Sequence, residues 1–378
     1  MRSKTNALWV KKILLLGGGT GGHIMPLLAI YNSLKDDKNL EFFWVGESGS
    51  LEENIAGKNE IKFYAIKSGK LRRYFSFRTF VEPFHILIGI IQSIIILYKL
   101  KPDLIFSKGG YVSLPMAIAG KIFGIKLFLH ESDSVPGLAN RIVARFASKI
   151  FLGFESAKVY FKNMEVEVIG QILNPELFEN YKEKYNLIDF STSSKGQKGQ
   201  KLQNVGNDCH RSERQIRTNL LVIAGSQGST RIFDFLLRNI DKLKNFKIDI
   251  ILGSQNMTFR EKFEKYSFVN VYDFVDQNIL KNLYYTSDLA ITRAGATTLA
   301  EIEAFNIRMI IIPLTESANN HQYYNALEYE KKGNVLINEN ELNNSGIDKI
   351  LTFDGYKKQL LDFKNTNSLE IIKKTILK

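Results

Sequence analysis

GGGTGGHIMP (17–26) joins an apolar run, ILLL (13–16), to a helical run, PLLAIYNSL (26–34), through five glycines. The first run reads as a buried strand, and the second as a helix with Pro26 in its first turn. Glycine lets another molecule approach the backbone closely, and a helix start exposes N–H groups and a partial positive charge. Strand, glycine loop and helix together therefore make an anion site, with phosphate or pyrophosphate as the expected guest. Two other readings stay open: a tight turn with no ligand, and a dinucleotide fingerprint G-x-G-x-x-G at Gly17, Gly19 and Gly22 with Glu47 as its ribose acid. Against the fingerprint stands His23, a titratable group at the mouth of the loop that a hydride-transfer cofactor does not need.

Outward from this loop, strands and helices alternate. EFFWVG (41–46), IKFYAI (61–66), DLIFS (103–107), KLFLHESD (126–133), FLGF (151–154) and VEVIG (166–170) read as strands. DLIFSKGGYVSLPMAIAG repeats the opening logic, with Gly109 and Gly110 between strand and helix. After a glycine and proline turn, GQILNPELF (170–178), the pattern restarts with NLLVIAGSQGS (219–229), DIILG (249–253), VNVYDFV (269–275), DLAITRAGA (288–296) and MIIIPL (309–314). Short connections between alternating elements imply a parallel sheet covered on both faces. The expected fold class is α/β, with two doubly wound Rossmann-like domains facing a cleft. The expected division is 1–169 and 170–359, with a C-terminal helix at about 360–378 packing back on the first domain near the hinge. Residues 191–218, polar, basic and nearly free of aromatics, read as a disordered insertion or, less simply, as a nucleic-acid-binding arm.

Composition sets the class of partner. The 378 residues suffice for two cores, and 51 basic against 39 acidic side chains give a net charge of +12, which favours an anionic partner. The single cysteine, Cys209, excludes an internal disulfide and fits a reducing compartment; no zinc spacing is present. Lys11 and Lys12 precede an apolar run too short for a signal peptide, so a cytoplasmic chain is expected. FHILIGIIQSIIILY (84–98) raises a membrane-spanning reading, but it falls short of about 18 to 20 residues and contains Gln92, so a buried or membrane-facing helix is expected.

In the second half, Ser226, Gln227 and Gly228 offer amide donors and a hydroxyl to an anion. TRAGATTLAE (292–301) opens a helix at a strand end, and Glu301 suits two adjacent hydroxyls such as a ribose diol. PLTESANNHQYYNALEYEKKG (313–333) sets His321, Gln322 and Asn325 at a helix start, where amides and imidazole can sort sugar hydroxyls.

GGTGGHIMP, GGYVSLP, HESDSVPGLANR, AGSQGS, TRAGATTLAE and PLTESANNHQYYNA, in this order over roughly residues 13 to 330, resemble the motif series of the MurG family of bacterial peptidoglycan N-acetylglucosaminyltransferases. The resemblance implies a GT-B fold. It also implies inverting transfer of N-acetylglucosamine from UDP-N-acetylglucosamine to the muramoyl sugar of an undecaprenyl-pyrophosphate-linked muramoyl-peptide acceptor. No cofactor, metal or nucleic acid is expected. Carried over by position, it implies donor contacts at Thr20, Gly21, Gly22, Asp133, Ser226, Val275, Ala296, Thr297, Thr298, Leu299, Ala300, Glu301 and Gln322, beside the donors already read at Gln227 and Gly228. Glu301 would hold the ribose diol, the Val275 backbone the uracil edge and Gln322 the sugar hydroxyls.

His23 is the first candidate for general base, with Glu131 and Asp133 in reserve. Ser132 and Asp133 stand where the family has a Gln-Asn pair, Leu177 where it has an arginine, and Leu114 and Ala224 where it has glycines. A lipid-linked acceptor implies a peripheral enzyme on the cytoplasmic face of the inner membrane. KLRRYFSFRTFVEPFHILIG (70–89) suits that anionic surface, with Lys70, Arg72, Arg73 and Arg78 among Phe75, Phe77, Phe80 and Phe84.

Overall fold

A computed structural model describes residues 10–19, 21–69, 82–178, 218–225, 227–352 and 367–378. Within the first half the chain runs β1 (Lys11–Leu16), α1 (Gly21–Leu34), β2 (Leu40–Gly46), α2 (Leu51–Lys58), β3 (Lys62–Ala65), α3 (Glu82–Leu100), β4 (Leu104–Ser107), α4 (Ser113–Ile122), β5 (Lys126–Glu131), α5 (Leu138–Val143), β6 (Lys149–Leu152) and β7 (Val166–Val168). The second half runs β8 (Thr218–Ile223), α6 (Thr230–Arg238), β9 (Phe246–Ile251), α7 (Arg260–Phe263), β10 (Val269–Tyr272), α8 (Gln277–Thr286), β11 (Leu289–Thr292), α9 (Ala296–Ala304), β12 (Arg308–Ile311), α10 (His321–Glu330), β13 (Val335–Leu336), α11 (Asn344–Leu351) and α12 (Asn367–Leu377).

Each half builds one parallel sheet, ordered β3-β2-β1-β4-β5-β6-β7 and β10-β9-β8-β11-β12-β13. In both, the order reverses beside the first strand of the half. A crevice therefore opens at its carboxyl end, and the glycine loop that follows that strand lies in it. Alternate residues of β1 feed opposite cores: Leu14 and Leu16 on one face, Ile13 and Leu15 on the other. In β8, Leu220 and Val222 face one core and Leu221 and Ile223 the other. Covering on both faces explains why these strands read as unbroken apolar runs.

Four features differ from expectation or lie beyond it. The first helix starts at Gly21, so Pro26 sits in its second turn and the amides of Gly21, Gly22 and His23 occupy the first. Strand β13 has two residues, too few to leave a periodic signal. Glu301 lies in the second turn of α9 rather than at its start. Residues 179–217, which include most of the expected insertion and Cys209, fall outside the described residues, as do residues 70–81.

Helix α3 is long and apolar enough to cross a membrane by length and composition alone. Its place in the fold argues otherwise, because it is the crossover between β3 and β4, strands of one sheet. It also packs closely on its neighbours: a Cβ on Gly89 would come within 2.2 Å of the Lys67 carbonyl and 3.1 Å of the Pro115 ring. The Gln92 side chain accepts the Lys67 N–H at 2.7 Å. At the far end of the chain, α12 buries Leu369, Ile372 and Ile376 in the core that holds Ile24, Leu27 and Ile30 of α1. Lys11 Nζ donates to the Ile376 carbonyl at 2.6 Å, and Ser368 Oγ to the Gln171 carbonyl at 2.7 Å.

Candidate functional site

The first glycine loop is stiffened from beneath. Glu52, buried at the start of α2, accepts the Gly19 and Glu47 N–H groups, both at 3.3 Å. Trp44 Nε1 donates to the Gly17 carbonyl at 3.2 Å. Gly18 leaves the space Glu52 needs, since a Cβ there would lie 2.1 Å from the Glu52 Oε1 atom. Glu47, the ribose acid of the dinucleotide reading, is instead held by Ser68 Oγ. In the first turn of α1, the His23 side chain hydrogen-bonds the Gly18 carbonyl. Burial, then the Lys108 ammonium, pushes its pKa down to about 4, while Asp133 opposes the shift. His23 is therefore neutral near pH 7, donating from one nitrogen and carrying its lone pair on the other.

The second glycine turn of this half hides a cation. Lys108, 1% exposed, donates to His130 Nδ1 at 2.6 Å and to Ser132 Oγ. His130 must then carry its proton on Nε2, which donates to the Gly170 carbonyl at the hinge at 3.0 Å. Glu131 accepts the Asp133 N–H on Oε1 and Asn140 Nδ2 on Oε2, both at 2.8 Å. Asn140 Oδ1 in turn accepts the Gly110 N–H at 3.2 Å. Burial first, then Asp133, pushes the Glu131 pKa up to about 7. With both oxygens engaged and the residue 2% exposed, Glu131 braces the loops after β4 and β5.

In the second half the loop after β8 is pinned by Asn256, which donates to the Gln227 carbonyl at 2.7 Å and accepts from Thr230 Oγ1 at 2.9 Å. Gly228 has φ +76° and lies so close to β9 that a Cβ would stand 1.8 Å from the Leu252 carbonyl oxygen. Its N–H closes the turn onto the Gly225 carbonyl at 3.2 Å, so it is engaged rather than offered to an anion. Ser229 caps α6, and its Oγ accepts from Arg293 at 2.6 Å. Arg293 also pairs with Glu339 at 2.5 Å. Glu301 accepts the Tyr284 hydroxyl at 3.0 Å, and burial pushes its pKa up to about 7 against that bond. Gln322 Oε1 accepts the Leu314 N–H at 3.0 Å.

The two halves meet over the cleft. Asn325, fully buried on α10, accepts from Ser134 N and Ser134 Oγ, both at 2.9 Å. It donates to Asp133 Oδ1 at 2.9 Å and to the Ala294 carbonyl at 3.2 Å. Phe154 of the first half meets Tyr329 of α10 edge to face, with centroids 6.2 Å apart. Helices α1 and α9 come into contact across the two halves.

Several expected sites find a definite position. Thr297 and Thr298 lie half-buried in the first turn of α9 and Glu301 in its second, whereas Ala296, Leu299 and Ala300 are buried and can offer only backbone. Val275 lies partly buried beside Phe274, which is 76% exposed. Leu177 is buried in the second-half core. Leu114 and Ala224 are buried too. Asn325, expected to sort sugar hydroxyls, clasps the halves instead, and no polar atom of its amide is left for a ligand. Lys108, Tyr284 and Glu52 were not singled out; a lysine within an apolar strand-turn-helix segment was the one signal available. Thr20, Ser226, Lys70, Arg72, Arg73, Phe75, Phe77, Arg78 and Phe80 lie outside the described residues; Phe84 is exposed on α3.

Comparison with known proteins agrees with this geometry. The glycosyltransferase family 28 N-terminal domain matches residues 13–152, and the C-terminal domain of the same family matches residues 219–373. A Clostridium botulinum protein named UDP-N-acetylglucosamine--N-acetylmuramyl-(pentapeptide) pyrophosphoryl-undecaprenol N-acetylglucosamine transferase is 34% identical over 376 residues, covering 97% of this chain and 98% of its own. A Borrelia hermsii protein of the same name is 34% identical over 379 residues, with 97% of each chain covered. Among solved structures, Acinetobacter baumannii MurG superposes with a TM-score of 0.69 at 20% identity, over 97% of this chain and 99% of that one. UDP-GlcNAc 2-epimerase from Neisseria meningitidis, bound to UDP-GlcNAc, superposes with a TM-score of 0.66 at 14% identity, over 97% and 99%. These two likenesses establish the GT-B fold, and the sequence matches replace the dinucleotide-oxidoreductase reading of the first loop. With both halves matched in order and the full-length relatives a third identical, the chain belongs to glycosyltransferase family 28.

Proposed function

We propose that this protein moves N-acetylglucosamine from UDP-N-acetylglucosamine to the muramoyl sugar of an undecaprenyl-pyrophosphate-linked muramoyl-peptide, with inversion at the anomeric carbon. The observation that carries this reading is the cleft itself. Helix α1, whose first turn bears His23, touches α9, which carries Glu301, and Asn325 of α10 ties Asp133 and Ser134 of the first half to the Ala294 carbonyl just ahead of α9. In this reading residues 1–169 hold the acceptor and residues 170–359 the donor. Glu301 accepts the ribose diol, the Val275 backbone meets the uracil, and the Gln322 amide donates to the sugar. First-turn amides at Gly21 and Gly22 face the acceptor pyrophosphate, where aligned N–H groups favour an anion. His23 takes the proton of the acceptor hydroxyl as its oxygen bonds the anomeric carbon. The bond from that carbon to the diphosphate oxygen breaks on the opposite face, and UDP leaves.

The same reading puts the enzyme on the cytoplasmic face of the inner membrane, because its acceptor cannot leave the bilayer. Exposed Phe84, Leu87, Ile88, Ile91, Ile95 and Tyr98 follow one another at helical spacing along α3. They form an apolar stripe suited to shallow insertion. Purified protein incubated with radiolabelled UDP-N-acetylglucosamine and the lipid acceptor tests the activity directly. Label appearing in the lipid product supports it, and label remaining in the donor, with no product, refutes it.

A further inference from the structure

We propose that Glu339 is a positioning residue of the donor site, its carboxylate fixing the loop after β12 so that Gln322 stands in place for the N-acetylglucosamine of the donor. Glu339 enters from the turn after β13 and is held by groups from three other segments. Thr315 Oγ1 of the loop donates to Glu339 Oε2 at 2.6 Å, Arg231 of α6 donates to the same oxygen, and Arg293 pairs with Oε1 at 2.5 Å. The two arginines carry the tie further. Arg231 also donates to Glu316 of the loop at 3.0 Å, while Arg293 donates to the Ile312 and Pro313 carbonyls at 3.0 and 3.3 Å. With side chains 10% and 6% exposed, Arg293 and Glu339 form a buried pair in which either partner alone would be an uncompensated charge. Packing alone does not fix the loop at this point. Thr315 and Glu316 are exposed, and Leu314, Thr315 and Tyr323 border an open cavity of about 630 Å³. The loop enters α10 through Asn319 and Asn320, with φ of +55° and +53°, a left-handed pair that costs conformational energy and has to be held from outside. At the other end of the loop the Leu314 N–H, next to Thr315 in the chain, donates to Gln322 Oε1 at 3.0 Å. A displacement of the loop is therefore a displacement of the Gln322 amide.

This inference rests on the proposed donor, and its test separates the two. Glu339→Ala removes the hub, and Thr315→Val removes only the loop's hold on it, leaving the buried pair with Arg293 intact. In both, hydrogen exchange at the Leu314 amide should quicken by about tenfold, as expected where a local tie is lost. The preference for UDP-N-acetylglucosamine over UDP-N-acetylgalactosamine, its epimer at one sugar hydroxyl, should fall by about tenfold in competition calorimetry, the worth of roughly one hydrogen bond. Affinity for UDP alone should stay within about threefold of the parent, because Glu301 and Val275 lie on α9 and on the loop after β10. Thr315→Ser, which keeps the hydroxyl, should match the parent in all three measurements. Parental Leu314 exchange or a parental sugar preference in Thr315→Val would overturn the proposal. So would a UDP affinity that falls in step with the sugar preference, since Glu339 would then only prop up the donor half as a whole. If Glu339→Ala does not fold, Thr315→Val decides alone. If the parent itself prefers neither sugar, the donor reading fails by itself. The tie is then judged on Leu314 exchange in Thr315→Val, where quickening upholds it and the parental rate overturns it.

Discussion

Asn325 of α10 and Asp133 of the first half are 192 positions apart in the chain, yet Asn325 Nδ2 donates to Asp133 Oδ1 at 2.9 Å. The same amide oxygen takes both the N–H and the hydroxyl of Ser134. Each half has its own sheet, while α12 from the end of the chain is buried in the first half's core and Phe154 of the first half in a core of the second. What the contact adds is alignment: it ties the loop after β5 to the turn after β11, through the Ala294 carbonyl, and so sets the width of the cleft. In the proposed reading, a donor held on α9 and α10 would then meet an acceptor held on α1 at a fixed distance.

Replacing Asn325 with alanine removes four hydrogen bonds and leaves the Ser134 N–H buried without its acceptor. At about 0.5 to 1.5 kcal/mol each, the loss comes to roughly 2 to 6 kcal/mol against the closed form. Transfer should fall by at least thirtyfold in steady-state kinetics while the far-ultraviolet circular dichroism stays that of the parent. Asn325→Asp should be worse than alanine, because it sets a second carboxylate against Asp133. Full activity in either variant would remove the clasp from the mechanism.

Glu301 makes two predictions of known sign. Loss of a hydrogen bond to a charged group costs about 1.5 to 3 kcal/mol, so Glu301→Ala should bind UDP-N-acetylglucosamine roughly tenfold to a hundredfold more weakly. Calorimetry decides this. Burial pushes the Glu301 pKa up to about 7, above the 4.5 of the free side chain. The folded protein therefore holds a proton that the unfolded chain has released, and the stability this confers is lost as pH rises from 4.5 through 7. Glu301→Gln has no such proton to lose, so in urea unfolding its stability relative to the parent should be higher at pH 8 than at pH 5.

His23, neutral above about pH 4, has the protonation state a base requires. A positioned base contributes about a hundredfold to ten-thousandfold. His23→Ala should lower kcat at saturating donor and acceptor by at least a hundredfold. If only the acceptor KM rises and kcat holds, His23 orients the pyrophosphate and the proton goes elsewhere.

The fold was legible because both sheets are parallel and covered on both faces. Strands such as ILLL and MIIIP then read as unbroken apolar runs separated by glycine loops. The glycine loops were legible for the same reason, since they fall at the ends of those runs. Partnerships between distant residues were not. Nothing near Lys108 in the chain announces His130, and nothing near Glu301 announces Tyr284, because each pair is brought together by sheet order or helix packing. The helix start at Gly21 was misjudged for a local reason. Proline is usually a first-turn residue, and here it lies one turn deeper.

The membrane surface is the last expectation open to a direct measurement. Along α3, Leu87 and Ile91 are 55% and 52% exposed, one turn apart on the same stripe as Phe84, Ile95 and Tyr98. The opposite side of the helix, at Gly89, Ser93 and Leu97, packs inward, so substitutions on the stripe leave the core intact. Burying a leucine or isoleucine side chain is worth about 1.5 to 3 kcal/mol. Leu87→Glu combined with Ile91→Glu should therefore weaken binding to vesicles of acidic lipid by at least a hundredfold in a sedimentation assay, with UDP affinity unchanged. Neutralising Arg72, Arg73 and Arg78 instead removes about 1 kcal/mol per charge near an anionic surface. That triple variant should lose binding to acidic vesicles while losing the sensitivity to salt that the parent displays. If the glutamate pair binds acidic vesicles as the parent does, α3 does not enter the bilayer. If the arginine variant keeps the parent's salt response, the charges that read the lipid lie elsewhere on the chain.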